Sequence, residues 1–517
     1  MTRCLFSLVL LFFASTAFAA EFEAITRQVV KPLLIRNDHN SLLNIVIRAP
    51  KPFIHLRSIT VDLEGSDNIE SMQFYYTANN GGYSTQMPFG DRVRAKSKTT
   101  FRGHIRLGGG ENHLWLSCRM KTTAKLTAKV DGRVVSIETS AGTIQPKDTT
   151  NGIKKRIGIA LRRHWDDGVH TYRIPALGTS TAGTLLSVYD IRRRAGRDLQ
   201  EDIDIGLLRS TDGGQTWGAQ QVIMDMHTFG DKGQELNGCS DPGIIIDPTT
   251  GEIFVFAVWM HLKPGKHQWN PDGSERGHEI GKSAQFLMVT SKDDGKTWSK
   301  PVNLTKQLKD PKWILYAPSP QQGIVLRDGT LVMPTQGRDA KDKHFSNLLI
   351  SHDHGKTWKV SNPASLGNTE CQAVELSDGS IMLNCRTEHP TKYRTVAVTR
   401  DLGKTWSVHP TSRKTLIEPS CNGSTYRFDY TKEGQKKSVL LFANPYSQKS
   451  RTHHSIRVSF DDGMTWPENK RLLLDEGGGA GYPSLSRVDN KHVGIVYEGS
   501  GSHIVFEKIA IEELVDR

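Results

Sequence analysis

The chain has 517 residues, of which 37% are hydrophobic, 24% charged and 8% aromatic, a balance that excludes a disordered or collagen-like chain. This length exceeds the roughly 250–300 residues at which single cores stop growing, so two domains or one large repeat array are expected. The formal charge of +12 favours anionic partners in general, but no helical motif or Lys/Arg run of nucleic-acid type accompanies it. It therefore reads as a basic surface, and no nucleic acid is expected as a partner.

Arg3 precedes an apolar run, Leu5 to Phe13, and small residues follow, ending Ala17-Phe18-Ala19-Ala20 before Glu21. That order is the one of a secretory signal peptide over residues 1–20, too short for a spanning helix. Export to the periplasm or the extracellular space is expected, with no membrane span, since no later stretch approaches 18 apolar residues. Cleavage removes one Arg and no acid, leaving a charge of +11. Five cysteines remain, Cys118, Cys239, Cys371, Cys385 and Cys421, an odd and sparse set without a C-x-x-C. They read neither as a disulfide framework nor as a zinc site, and no metal or other cofactor is expected.

Residues 21–144 alternate short β-rich runs with turns, among them Leu43 to Ile47, Ile59 to Leu63, Met72 to Tyr76 and Val134 to Ile137, with Asp131-Gly132 expected as a hairpin turn. A segment of this size and pattern fits a small β-sandwich, either carbohydrate-binding or an inert spacer. The polar stretch 145–154, containing Gln145-Pro146-Lys147-Asp148, is the linker candidate.

Residues 155–517 repeat. Five segments share S/T-x-D-x-G-x-T-W: Ser210–Trp217, Ser291–Trp298, Ser351–Trp358, Thr399–Trp406 and Ser459–Trp466. The Asp and hydroxyl side chains can bond turn amides, Gly supplies a positive φ and Trp packs the hairpin onto its sheet, so these aspartates are structural rather than catalytic. A second repeat of turn plus apolar strand recurs at 183, 251, 329, 379, 434 and 490, about 61 residues per unit. Four short strands with their turns occupy such a length, so the fold class is all-β, a six-bladed β-propeller following an N-terminal sandwich.

Inner strands and connecting loops of a propeller converge on its axis, so unlike positions of different blades meet there. Arg173 in Tyr172-Arg173-Ile174-Pro175, Arg386 after Met382 to Cys385, and Arg451 after Asn444-Pro445-Tyr446 belong to three separate units. Together they suit one carboxylate, because guanidinium stays charged and pairs carboxylate through two hydrogen bonds.

With Tyr-Arg-Ile-Pro at 172–175, five Asp-turns and this arginine spacing, the sequence resembles the secreted bacterial exo-sialidases (neuraminidases) over roughly 155–517, and its N-terminal region resembles the extra domain of sialidases from gut bacteria. The resemblance implies that Arg173, Arg386 and Arg451 grip the carboxylate of sialic acid and that Glu498 orients Arg173. It implies Asp198 as acid/base on a loop, Tyr482 as nucleophile and Glu370 as its base, with Arg192 and Asp241 near the ring substituents and N-acetyl group. The implied reaction is retaining hydrolysis of terminal sialic acid from glycoproteins, glycolipids and oligosaccharides, sialylated glycans being the partners. Two alternatives differ in class: a propeller lectin would need the arginines but not Tyr482, Glu370 and Asp198, and a transferase would pass the sugar to another acceptor or within the substrate. An acid role for Asp198 needs a protonated carboxyl, expected from a closed pocket and opposed by the arginines of its loop. Trp259, Trp269 and Trp313 are candidates either for the leaving-group side or for packing, and Cys371 and Cys385 either for a disulfide or for buried thiols.

Overall fold

Alternating apolar and polar residues at the N-terminus produce two facing antiparallel sheets, because period-two patterning places one face of each strand in a shared core. The computed structural model describes residues 22–199, 201–262 and 273–517; the leader and Trp269 lie outside them. Glu23–Arg27, Asn40–Ala49, Gly110–Met120, Ile69–Ala78 and Pro88–Arg94 form one sheet; Ile54–Glu64, Lys98–Leu107 and Lys129–Thr139 belong to the other. Ile45, Ile47, Ile59, Val61, Leu114 and Leu116 meet between them around an edge-to-face Phe74–Phe101 pair with centroids 4.9 Å apart.

Asp131-Gly132 is not a hairpin turn. Both residues lie inside Lys129–Thr139, with Gly132 opposite Leu63 and Asp131 opposite Glu64. The glycine answers to packing instead, since a Cβ there would sit 3.0 Å from Leu43 Cδ2 and 3.3 Å from Leu42 Cδ2. Within the intended linker, Lys147–Asp148 pairs with Glu23–Arg27.

The remainder is a six-bladed propeller. Its inner strands are Thr171–Thr179, Asn237–Ile246, Leu315–Pro318, Asn368–Glu375, Ser424–Lys432 and Gly481–Arg487. The sixth blade takes its outermost strand from Lys155–Arg162, which pairs with Ile504–Ala510, so the two ends of the propeller sequence close the ring. That strand also pairs with Lys129–Val130 and, in parallel, with Leu33–Ile35 of the sandwich. Lys129 and Arg156 both reach Glu513, which fastens the sandwich to the sixth blade.

The five Asp-turns join third to fourth strands and share the bonds of the Asp and hydroxyl side chains, while the tryptophan contact varies: Trp406 Nε1 donates to the Asn362 carbonyl and Trp358 Nε1 has no hydrogen-bond partner among the described residues. In the first, Asp212 Oδ1 accepts the amide of Thr216 at 2.9 Å and the Ser210 hydroxyl at 2.8 Å, while Ser210 Oγ accepts the amide of Gly214. Trp217 Nε1 donates to the Gly214 carbonyl at 3.0 Å. Gly214 has φ +88°, and a Cβ there would run into the ring of Phe506, so the turn needs glycine for space as well as for φ.

Candidate active site

Four inner strands carry a bulge near their first residues, and the bulges aim the functional side chains. Register shifts lie between Arg173 and Ala176, Ser240 and Gly243, Asn368 and Cys371, and Gly481 and Ser484. In three of them the bulged residue precedes proline and has a positive φ: Ile174 at +54°, Asp241 at +57° and Tyr482 at +48°. A bulge turns a side chain away from the alternation of its strand, and proline at that point removes no ladder donor. Non-glycine residues in this region are strained, and strain held by a rigid sheet is typical of functional sites.

These bulges surround one cavity of about 270 Å³ at one mouth of the propeller axis. The Tyr482 hydroxyl donates to Glu370 Oε1 at 2.6 Å, and Arg386 donates from one nitrogen to Glu370 Oε2 at 2.7 Å and to the Tyr482 oxygen at 3.0 Å. Burial pushes the Tyr482 phenol well above its ordinary pKa, the Glu370 carboxylate adds to that, and Arg386 and Arg451 oppose it. The phenol is therefore neutral at rest, with its proton already on a line to Glu370. Arg173 and Arg451 lie with their guanidinium carbons 5.6 and 5.5 Å from the centre of the Tyr482 ring. All three arginines thus converge on the tyrosine and line the same cavity.

Each arginine is held by the scaffold. Glu498 Oε1 accepts Arg173 Nε at 2.7 Å and the Ile174 amide at 2.6 Å, fixing side chain and bulge together. Arg451 donates to the carbonyls of Ala480 at 2.9 Å and Ser420 at 3.1 Å. Among the glycines before Tyr482, Gly479 packs so closely on the Glu498 carbonyl that no Cβ fits, and a Cβ on Gly481 would lie 2.6 Å from Cys421 Sγ.

Asp198 lines the cavity from the loop after the second strand of blade one. Its Oδ1 accepts from Arg192 and stands 3.7 Å from Arg173. Its side chain is 46% exposed, so the closed pocket expected around it is not the arrangement seen: the loop leaves the carboxyl at the open side. Arg192 is 1% exposed and is not among the residues lining the cavity; it pairs with Asp190 at 2.9 Å and donates to Asp198. Asp241 does line it, and its carboxyl is pushed well above the usual range by burial and by Asp190 and Glu370, with Arg192 opposing. Asp190 accepts from Ser240 Oγ at 2.5 Å and from the Asp241 amide at 3.2 Å, which ties blade one to blade two under the site.

Gln336, His344, Thr369 and Glu388 also line the cavity and were not read from the sequence. Thr369 neighbours Glu370, and Gln336 lies on the second strand of blade three as Arg386 does on that of blade four, which is the signal the repeat offered. Trp259 is fully buried, with Phe229 edge-on to it and its Nε1 bonded to Asn237, and Trp313 packs on Tyr316 and Phe345, so both serve packing. Cys371 and Cys385 are buried free thiols directly opposite each other on paired strands.

Residues 183–496 match the BNR repeat-like domain family. The chain is 36% identical to a sialidase of Bacteroides fragilis over 99% of both chains, and 34% identical to a sialidase of Micromonospora viridifaciens over 65% of this chain and 51% of that one. The solved Hadza microbial sialidase Hz136 superposes with a TM-score of 0.87 at 33% identity, covering 95% of this chain and 100% of its own. An intramolecular trans-sialidase from Ruminococcus gnavus shares the fold with a TM-score of 0.55 at 19% identity, covering 67% of this chain and 96% of its own. A propeller built from this repeat, and matched along nearly its whole length by a sialidase, belongs to the sialidase family of glycoside hydrolases.

Proposed function

We propose that the chain is a retaining exo-α-sialidase that hydrolyses terminal sialic acid from glycoproteins, glycolipids and oligosaccharides, with Tyr482 as nucleophile. The observation that carries this reading is the convergence of Arg173, Arg386 and Arg451 on a tyrosine whose hydroxyl donates to Glu370. The three guanidiniums take the sugar's carboxylate, which sits on the carbon under attack. An anionic nucleophile would be repelled there, whereas a phenol stays neutral until Glu370 removes its proton. Arg386 touches both partners, so charge moving from Glu370 to the phenol oxygen stays beside one cation. Asp198, at the open side, protonates the departing oxygen and then activates water. Glu498 sets Arg173, Arg192 sets Asp198, and Asp241 faces the ring substituents. A lectin has no use for the Tyr482–Glu370 pair, and the pair's assembly favours hydrolysis over binding alone.

In this reading residues 21–144 are the sandwich, 145–154 the linker and 155–517 the catalytic propeller, preceded by an export signal. The decisive experiment is proton NMR of the sugar as it is released. Release of the α anomer first is expected for two displacements. Release of the β anomer first would remove the covalent tyrosine step, and appearance of an anhydro or transferred product would replace hydrolysis.

A further inference from the structure

Every inner strand that begins at the catalytic cavity ends at the opposite mouth of the axis: Arg173 leads to Thr179, Asp241 to Ile246, Glu370 to Glu375 and Tyr482 to Arg487. At that far mouth lies a second cavity of about 520 Å³, and a groove of about 650 Å³ adjoins it between blades five and six, with Arg427 and Asp429 common to both. Each falls within the size of sites that hold a small ligand.

The charge of this face is one-sided. Arg327, Arg427, Arg487, Lys436, Lys437 and Lys491 line the two spaces against two carboxylates, Glu375 and Asp429. The catalytic cavity, by comparison, sets three arginines against four carboxylates. The far arginines are anchored and keep donors to spare. Arg427 is tethered to Ser438 Oγ at 2.6 Å and Asp429 at 3.2 Å with Asp462 at 3.8 Å, Arg327 stands 3.7 Å from Glu375, and Arg487 donates to the Asp429 carbonyl at 2.6 Å while stacking on Phe428 at 4.4 Å. None of the three lysines has an acid partner among the described residues. Thr425, 5% exposed, is among the residues that line the axial cavity, and its buried hydroxyl has no protein partner, although a buried hydroxyl is costly unless it is bonded.

We propose that the far mouth is a second binding site, for an acidic oligosaccharide segment bearing carboxylate or sulfate groups. Fixed guanidiniums beside mobile ammonium groups match spaced anionic substituents. The side-chain amides of Gln322 and Asn490 match a hydroxyl-rich chain, and Tyr430 lines the groove beside them. A flat anionic membrane meets the rim but cannot enter the axial cavity where Thr425 waits. The proposal does not depend on hydrolysis of sialic acid, because ligands without that sugar should bind.

Calorimetry on the full chain tests it, with a heparin-derived hexasaccharide, hexagalacturonate, maltohexaose and a short DNA duplex as probes. Saturable binding of either acidic hexamer, weakened by salt, and none of maltohexaose is the expected result. Combined Lys436→Glu, Lys437→Glu and Lys491→Glu should weaken that binding roughly tenfold, and Thr425→Val about threefold. Both variants should hydrolyse a small aryl sialoside at the wild-type rate, which keeps a failure here separate from a failure of the catalytic reading. No binding at millimolar hexamer, affinity unmoved by charge reversal, or DNA bound as tightly as the acidic hexamers would each overturn the assignment.

Discussion

The Tyr482 hydroxyl and Glu370 Oε1 stand 2.6 Å apart although 112 residues separate them in the chain, and Arg386 binds the second oxygen of the same carboxylate. Glu370 therefore has its two oxygens divided between a proton to receive and a cation to keep. Glu370→Gln preserves the shape and loses the base: we expect kcat to fall by roughly 10²–10⁴-fold with KM nearly unchanged. Tyr482→Phe should lose on the order of 10³-fold or more in turnover and still bind sialic acid. Steady-state kinetics on an aryl sialoside, with equilibrium binding of free sialic acid, checks both. Unchanged hydrolysis by Tyr482→Phe would end the nucleophile assignment.

Glu498 offers a second test, because one of its oxygens holds both the Arg173 side chain and the Ile174 amide. In Glu498→Gln the amide oxygen can still accept, but the ion pair is gone. The strained bulge should persist while Arg173 loses its anchor, so KM should rise roughly tenfold with a smaller loss in kcat. Equal KM in the two proteins would mean that Arg173 is positioned by other contacts.

How far these residues could be read from the sequence follows from the range of the interactions that place them. The blades were legible because the Asp-turn is local: the partners of Asp212 are Ser210, Gln215 and Thr216, so eight consecutive residues state the turn. Arg173 stood out because the repeat frame puts it in a different unit from Arg386 and Arg451, whereas Glu370 and Tyr482 rest on family resemblance, and the aim of all three comes from bulges that alternation cannot show. The dipeptides Ile174-Pro175, Asp241-Pro242 and Tyr482-Pro483 do mark three of these bulges, but proline before a strand is common enough to pass unnoticed. Gln336, His344 and Glu388 belong to no sequence motif and reach the cavity from at or near strand ends of blades three and four, a placement that only the folded ring makes plain. Asp131-Gly132 misled for the opposite reason: the dipeptide favours a turn, while packing under Leu42 and Leu43 required a small residue in a strand.

The Asp-turn glycines should report on stability alone. Gly214 combines φ +88° with a Cβ position already filled by the Phe506 ring. Gly214→Ala should cost about 3 kcal/mol from backbone strain and overpacking together. Urea unfolding would show the loss, and kcat of the folded fraction should match wild type. A destabilisation below about 0.5 kcal/mol would mean that the turn yields.

Glu507 links stability to pH. It is buried, accepts the Tyr497 hydroxyl at 2.7 Å, and burial lifts its carboxyl to about 7, with Arg156 and Tyr497 opposing. Because the folded pKa lies above the unfolded one, the folded state holds the extra proton between about 4.5 and 7. This group's contribution is therefore most favourable below that window and is lost as pH rises through 7. Glu507→Gln keeps the acceptor and removes the titration. The variant should be more stable than wild type at pH 8, by up to about 3 kcal/mol, and should differ little near pH 4. Thermal unfolding at both pH values tests the sign, and a variant equally destabilised at both would refute it.

Asp198 can be examined through the leaving group. Protonation of the departing oxygen matters in proportion to that oxygen's basicity, because a stable phenolate leaves unaided whereas a sugar alkoxide does not. Asp198→Asn should therefore lose roughly 10²–10⁴-fold on sialyllactose and far less on a nitrophenyl sialoside in the step that forms the glycosyl-enzyme. The following step, attack of water, needs the carboxylate with either substrate, so the aryl substrate should show a burst of nitrophenol and then slow turnover. Arg192 sits under Asp198 out of contact with the cavity, so Arg192→Lys should reproduce a weaker form of the same pattern rather than a loss of affinity. An Asp198→Asn variant with equal losses on both substrates and no burst would place the proton donor elsewhere.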